Sequence, residues 1–477
     1  MGDPADVDLL SIFDQARPNA RYWSTMALCS MGLALEFFDF YIVGFVIAVV
    51  SPQWHLTYGQ SSIMLLSAGL GAIVGALLWG GLSDVFGRKL MIVLGTFVCA
   101  ASAGAIALVP DGAWVLFALL RFGVGVGLGG SNAAIIPVTV EYTPTRFRSV
   151  IPGLTVVFAT IGTLLASATA ATLLSLLGWR GISAIGIVPA VVGVLYMLTA
   201  PESVRWLMAK GRFSQARAEV AWLLKLPLEA VPMPTTHPPV PPSVSYGELY
   251  SSVPSRFWLT VIMWTGISTA NYGVYLWGPT IVAMLLKMPV QNAAHLFVYV
   301  ALAGITGKTV FSFLPQWLGR QRCGQISGVG IAVTLALAGV FHDQFYGGIP
   351  IFIVLLAAGA LFFDGGYSNL SPYTAEIFPV GLAARGVGLG QAANGVGKIA
   401  GPLSLALIAG AGNLVAPQAT ADAVLPAFLF LAGCGLAVAL AFTFVPIETH
   451  GKPLTIGNEE HPIGAAVSAP ASVRPLA

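Results

Sequence analysis

Six ionisable side chains stand inside stretches of this sequence that are otherwise apolar: Glu36, Asp39, Arg121, Lys308, Asp364 and Lys398. A charge surrounded by hydrocarbon is costly, so residues of these types at such places serve chemistry, neutralise one another, or do both. A carboxylate beside a guanidinium has two states, ionised and bridged or protonated and released, and two such states are what binding and delivering a proton requires. An ammonium with no acid on its own helix, as at Lys398, can instead hold an anion. No rival chemistry stands out. Residues 125–130 read GVGLGG and satisfy the dinucleotide-binding pattern, but they lie inside an apolar run with no strand before them, and close helix packing explains them. Gly307-Lys308-Thr309 resembles the end of a phosphate loop, yet Leu302 occupies the position where that loop needs glycine. No histidine pair has zinc-protease spacing and no Ser, His and acid constellation is visible. The sequence therefore predicts no cofactor, no metal and no enzyme.

The elements that must carry these charges follow from composition. Hydrophobic residues make up 56% of 477 and charged residues 9%, which defines a polytopic membrane protein in a lipid bilayer. The net charge of +2 and the absence of a basic block exclude a nucleic-acid partner. Cys29, Cys99, Cys323 and Cys434 are scattered among apolar residues and read as small buried hydrophobes. Asp3, Asp6, Asp8 and Asp14 replace the basic leader of a cleaved signal peptide, so the first helix is expected in the mature protein. Twelve runs of about 17 to 28 residues are each long enough to cross a hydrocarbon core of roughly 30 Å. Asp39 lies ~16 Å from the outer end of the first run and Arg121 ~12 Å from that of the fourth, so the two can meet. Lys308 and Asp364, each ~21 to 23 Å from the outer face, can form a second pair across the eighth and tenth runs. Either pair can also be a neutralising bridge and nothing more.

Lys and Arg distribution sets the orientation. With the turn at Gly87 assigned to the cytoplasm, seventeen basic residues fall on that side and only Arg180 and Lys287 on the other, so both termini are expected in the cytoplasm of a cell with the protein in its plasma (inner) membrane. The predicted division is an N-terminal segment 1–23, a bundle 24–200, a cytoplasmic linker 201–256, a second bundle 257–445 and a tail 446–477. Within the linker, 210–226 has the pattern of an amphipathic helix lying on the membrane, 227–242 carries seven prolines and reads as extended, and 451–477 reads as disordered. The chain is also a duplication. Residues 80–89 read GGLSDVFGRK, and a weakened copy, FLPQWLGRQ, follows with Arg320 in the Arg88 place, 232 residues on (320 − 88). Glu141-x-x-Pro144 returns as Glu376-x-x-Pro379, 235 residues on (376 − 141). Two like-oriented halves place a substrate site between them near mid-membrane. Asp84, Arg88, Glu141, Arg148, Glu376 and Arg385 cluster at cytoplasmic helix ends, either as ion pairs that hold the halves together in the outward-open state and break in the inward-open one, or as charges that set topology.

These residues resemble a known family. GGLSDVFGRK is similar to the signature between helices 2 and 3 of the major facilitator superfamily, and Arg121-Phe-Gly-Val-Gly-Val-Gly to its helix 4 signature. Pro201-Glu-Ser-Val-Arg-Trp-Leu resembles the motif after helix 6 of sugar porters, and Pro446-Ile-Glu-Thr-His-Gly the motif after helix 12. The resemblance implies an all-α fold of twelve helices in two pseudo-symmetric bundles, secondary active transport by alternating access, and proton coupling through Asp39 and Arg121, with Glu36 next in line. Helix 7 lacks the paired glutamines of sugar porters. Its Asn271-Tyr-Gly-Val-Tyr-Leu-Trp-Gly-Pro279 looks more like metabolite and aromatic-acid proton symporters, and Lys398 resembles the helix 11 cation of organic-anion carriers.

The expected substrate wall is Asn271, Tyr272, Tyr275 and Trp277 on helix 7, Asp364, Tyr367, Asn369 and Tyr373 on helix 10, and Gln391, Asn394 and Lys398 on helix 11. Aromatic faces mixed with amides suit a flat or small polar solute. The expectation is proton-coupled symport of a small organic acid by a monomer. Sugar or polyol carriage, drug or metabolite efflux and a transporter-like sensor are the alternatives.

Overall fold

The computed structural model describes residues 9, 12, 19–143, 151–233, 245–379 and 382–450. Nine helices among them are long and apolar enough to cross a membrane. One of these, Val157–Thr199, reverses direction at Gly178 (φ 62°, ψ −179°) and so supplies two spans. Two further helices of membrane length, Pro254–Leu285 and Ala383–Ile408, are more polar because they carry Asn271, Gln391, Asn394 and Lys398. The total is twelve.

In chain order the membrane helices are α1 (Ala20–Gln53), α2 (Tyr58–Phe86), α3 (Arg88–Ile106), α4 (Trp114–Tyr142), α5 (Ile151–Ala184), α6 (Pro189–Thr199, joined to α5 by a 3-10 turn), α7 (Pro254–Leu285), α8 (Val290–Phe313), α9 (Arg320–Val340), α10 (Ile351–Ile377), α11 (Ala383–Ile408) and α12 (Pro417–Phe444). Packing repeats between the halves. The pairs α1 with α5, α2 with α4, α3 with α4 and α3 with α6 recur as α7 with α11, α8 with α10, α9 with α10 and α9 with α12. The halves meet along α1 with α7, α2 with α11 and α5 with α8.

Both short hairpins of the repeat turn on a glycine. Gly87 (φ 101°) ends α2 and Gly319 (φ 84°) precedes α9, a conformation that side-chain-bearing residues seldom adopt. A Cβ at either place would also strike a carboxylate oxygen, of Glu202 at Gly87 and of Glu448 at Gly319. The GVGLGG stretch serves packing: Gly125 and Gly129 on α4 sit against the carbonyls of Ala68 and Ala72 on α2, where no Cβ fits.

The linker departs from expectation. Among its described residues it forms three α-helices, Val204–Ala209, Phe213–Leu224 and Tyr246–Ser252; Ala216, Val220 and Leu223 of the second are buried in one cluster with Tyr22, Met26, Ile92, Val138 and Tyr142. The apolar face is therefore covered by the first bundle and does not lie on lipid. Asn19 Nδ2 and Arg21 Nη1 donate 2.7 Å hydrogen bonds to the carbonyls of Leu223 and Trp222, which end this helix. Residues 234–244, 451–477, Arg146 and Arg148 lie outside the described residues, and with them most of the proline run, the tail and one expected gate residue.

Candidate functional site

The first half contributes a buried ion pair. Arg121 on α4 reaches Asp39 on α1 through Nη1, 3.1 Å from carboxylate Oδ2 and 3.2 Å from the backbone carbonyl of the same residue. Asp39 is 3% exposed and Arg121 1%, so neither has water to replace the other. Glu36 lies one helical turn earlier on the same face and accepts a hydrogen bond from Ser131 Oγ, also on α4. Two acids on α1 are thus held from α4, one by a cation and one by a hydroxyl.

In the second half Asp364 on α10 is the hub. Its Oδ1 accepts from Asn271 Nδ2 at 3.2 Å and its Oδ2 from Tyr275 Oη at 2.7 Å, both on α7, while Lys308 Nζ on α8 stands 3.9 Å from Oδ1. At this level a bond crosses between the halves: Tyr41 Oη on α1 donates to Asn271 Oδ1 at 2.7 Å. Around it the rings of Tyr41 and Tyr272 stack at 5.9 Å, Phe40 meets Tyr272 edge to face at 5.3 Å, and Tyr41 tilts against Tyr275 at 5.1 Å. Lys398 Nζ on α11 lies over the rings of Phe40 (5.3 Å) and Tyr272 (5.6 Å). Among the described residues no carboxylate comes within 4 Å of it. An ammonium held by ring faces alone keeps its hydrogen-bond donors available.

Other residues named from the sequence fall elsewhere. Tyr367 and Asn394 join Ser268 in a small network, Tyr367 Oη donating to Ser268 Oγ at 2.7 Å and Ser268 Oγ to Asn394 Oδ1 at 2.8 Å; they border the site. Gln391 is exposed and makes none of these bonds. Trp277 does not face a cavity: it is fully buried, its indole N–H bonded to the Pro402 carbonyl at 3.0 Å and its ring 5.4 Å from Tyr58. Asn369 and Tyr373 lie too far along α10, where Asn369 Nδ2 bonds the Arg320 carbonyl and Tyr373 Oη the Ile447 carbonyl.

At the Gly87 end the charges form two matching clusters. Arg88 Nη1 pairs with Glu141 Oε2 at 2.9 Å, and Glu141 also accepts from Ser203 Oγ and the Arg205 amide. Arg320 Nε pairs with Glu376 Oε2 at 2.6 Å, and Glu376 also accepts from Thr449 Oγ1. Glu202 accepts from the Arg88 and Lys89 amides at 3.0 Å each, and Glu448 from the Arg320 and Gln321 amides at 2.9 and 3.2 Å, so each carboxylate caps the first turn of a membrane helix. Partial burial works against ionisation of Glu448, yet these amides and those of Thr449 and His450 hold its carboxyl below the usual range.

The expected gate residues are placed as follows. Asp84 is exposed and only its backbone carbonyl is engaged, by the Trp206 indole at 3.0 Å. Arg385 lies over the Tyr246 ring at 5.7 Å. Every ion pair among the described residues stays within one half. Glu202, Ser203, Arg320 and Glu448 were not among the expected gate residues, although three of them lie in the two post-helix motifs.

The opposite end is closed between the halves. Tyr58 N donates to the Asn413 carbonyl and Gly59 N to that of Ala411, both at 2.9 Å; Val415 N donates to Leu56 O at 3.1 Å; and Tyr58 Oη lies 2.6 Å from Thr420 Oγ1. Backbone bonds cross the seam here, whereas among the described residues no ion pair crosses it at the Gly87 end.

Twelve helices, an internal repeat, a charged and aromatic layer between the halves and one sealed end define a membrane transporter. The profile of the sugar (and other) transporter family matches residues 25–460, and the chain belongs to that family within the major facilitator superfamily. It is similar to the niacin transporter NiaP of Acinetobacter baylyi, 26% identical over 455 residues that cover 94% of this chain and 99% of the relative. Similarity extends to the 4-hydroxybenzoate transporter PcaK of Pseudomonas aeruginosa, 26% identical over 79% of this chain and 84% of the relative. Among solved structures, a D-xylose-proton symporter superposes with TM-score 0.70 at 21% identity, covering 91% of this chain and all of that one. The partially occluded, inward-open xylose transporter XylE from E. coli superposes with TM-score 0.68 at 19% identity, with the same coverage.

Proposed function

We propose that this protein is a proton-coupled symporter for a small organic acid, and that the acid is a ring carboxylate. The observation that carries the reading is Lys398, an ammonium on an aromatic platform of Phe40 and Tyr272 with no carboxylate within 4 Å among the described residues. A substrate carboxylate completes that charge, and its flat body packs on the rings that flank it. NiaP and PcaK, named for niacin and 4-hydroxybenzoate, support this choice, since both compounds are ring acids.

Asp39 and Arg121 carry the proton step. While Asp39 is ionised, Arg121 is held at its carboxylate and α1 is tied to α4; a proton on Asp39 weakens that tie and lets α1 move. Because α1 also bears Tyr41, the same movement loosens its bond to Asn271 on the other half. The Gly87 end faces the cytoplasm on this reading, given seventeen basic residues against two, so both termini are cytoplasmic and the membrane is the plasma (inner) membrane. Bundles at 24–200 and 257–445 rock about the site, the clusters of Arg88 with Glu141 and Arg320 with Glu376 keeping each bundle's inner end rigid. One chain supplies the whole pathway and works as a monomer.

Exchange in proteoliposomes tests the reading. Lys398→Gln is expected to weaken exchange of 4-hydroxybenzoate by about tenfold or more, while exchange of the neutral amide analogue changes far less. Equal loss for acid and amide removes Lys398 from the site.

A further inference from the structure

Lys308 on α8 is the second ammonium in this layer, paired with Asp364 at ion-pair distance but hydrogen-bonded to nothing among the described residues. It is 5% exposed, yet among the described residues no acceptor lies within hydrogen-bond distance of Nζ; the nearest carboxylate oxygen, Asp364 Oδ1, is 3.9 Å away. Nζ rests instead over Phe37 at 5.9 Å and Tyr367 at 5.8 Å. Lys308 is thus neutralised by Asp364 at ion-pair distance but makes no hydrogen bond to it, so its ammonium has donors to give an acceptor placed beside it. Asp364 has capacity too. Its two oxygens take one hydrogen bond each, from Asn271 and Tyr275, and a carboxylate can accept about four.

The two ammoniums ride on one aromatic ladder. Lys398 lies over Phe40 and Lys308 over Phe37, with Tyr41 touching both rings (5.5 and 6.0 Å). Phe37 and Phe40 are three residues apart on α1, a rise of about 4.5 Å, which is the scale of one six-membered ring. A flat acid anchored at Lys398 and lying along this ladder would bring its opposite edge toward Lys308 and Asp364. There an ammonium can donate to a ring nitrogen or hydroxyl oxygen, and a carboxylate can accept from a hydroxyl hydrogen.

We propose that Lys308 and Asp364 form the far end of the binding site and select ring acids whose edge opposite or flanking the carboxylate carries a polar heteroatom. The proposal rests on Lys398 holding the carboxylate. Selection works through hydrogen bonds left unmade: an acid with a methyl group or hydrogen at that edge gives the Lys308 ammonium no acceptor and Asp364 no further donor, and such mismatches discriminate far better than lost apolar contact.

Exchange of 4-hydroxybenzoate, 4-methylbenzoate and benzoate by the native protein and by Lys308→Gln and Asp364→Asn tests it. The native protein is expected to prefer 4-hydroxybenzoate over 4-methylbenzoate by about tenfold or more, and each variant to bring that ratio within about threefold. Equal exchange of the hydroxy and methyl acids by the native protein overturns the proposal without recourse to any variant. An unchanged ratio in both variants that still exchange substrate overturns it as well. Neither result touches the carboxylate reading, which is tested separately by Lys398→Gln with the acid and its neutral amide.

Discussion

Tyr41 on α1 and Asn271 on α7 join the two halves of the carrier through a single buried 2.7 Å hydrogen bond at the level of the binding residues. The bond is present with the end opposite Gly87 closed, and rocking of the bundles that opens that end is expected to draw α1 from α7 and break it. Tyr41→Phe leaves the Asn271 oxygen without its donor, a cost of about 1–3 kcal/mol confined to the closed arrangement. The equilibrium should shift about 5–150-fold toward opening of that end. Spin labels at the exposed Gln53 and Gln418, at the ends of α1 and α12 opposite Gly87, should show a longer distance population in the variant.

Gly44 makes the same seam by shape. A Cβ there would stand 2.9 Å from the carbonyl oxygens of both Tyr275 and Leu276, which are backbone atoms and cannot step aside. Gly44→Ala is expected to hold α1 off α7 and give the same long distance between the labels, with transport lost. A native-like distance distribution would show that the seam has slack.

Asp39→Asn removes the charge that Arg121 neutralises while keeping the shape of the side chain. Substrate exchange is expected to continue, since it needs no net proton movement, whereas accumulation driven by a pH gradient should disappear. A variant that still concentrates substrate places the proton elsewhere, at Glu36 or Asp364.

Glu448 offers a pH prediction outside the membrane. Its folded-state carboxyl titrates below the usual range, so the stability it contributes is complete above the ordinary carboxylate value and is lost as pH falls through the lowered one. Glu448→Gln should lower the melting temperature at neutral pH, and native and variant curves should converge in acid. A constant gap across that window would contradict the capping role.

The sequence made the fold legible because membrane spans are written in length and apolarity alone. Even the more polar α7 and α11 stand out as long runs between charged ends. Asp39, Arg121, Lys308 and Asp364 were legible for the same reason: a charge is conspicuous in an apolar run, and counting residues gives its depth. Counting does not give azimuth. Trp277 and Asn369 were assigned to the substrate wall by helix and depth, but Trp277 turns into the outer seam and Asn369 sits beyond the site near Arg320. Phe37, Phe40 and Tyr41 were missed because an aromatic residue facing a binding site cannot be told by type from one facing lipid. Asp84 looked like a gate charge through its motif, while the carboxylates that cap helices were Glu202 and Glu448, whose partners are backbone amides and leave no trace in residue type.

The central claim is that a ring carboxylate and a proton move together. Proteoliposomes loaded with a pH-sensitive dye and held at zero membrane potential measure this directly when 4-hydroxybenzoate or nicotinate is added outside. Inward acidification that is absent with the neutral amide and absent in Asp39→Asn is the predicted result. Uptake of labelled acid with no accompanying proton flux, or proton flux driven by xylose and not by the acids, would contradict the account.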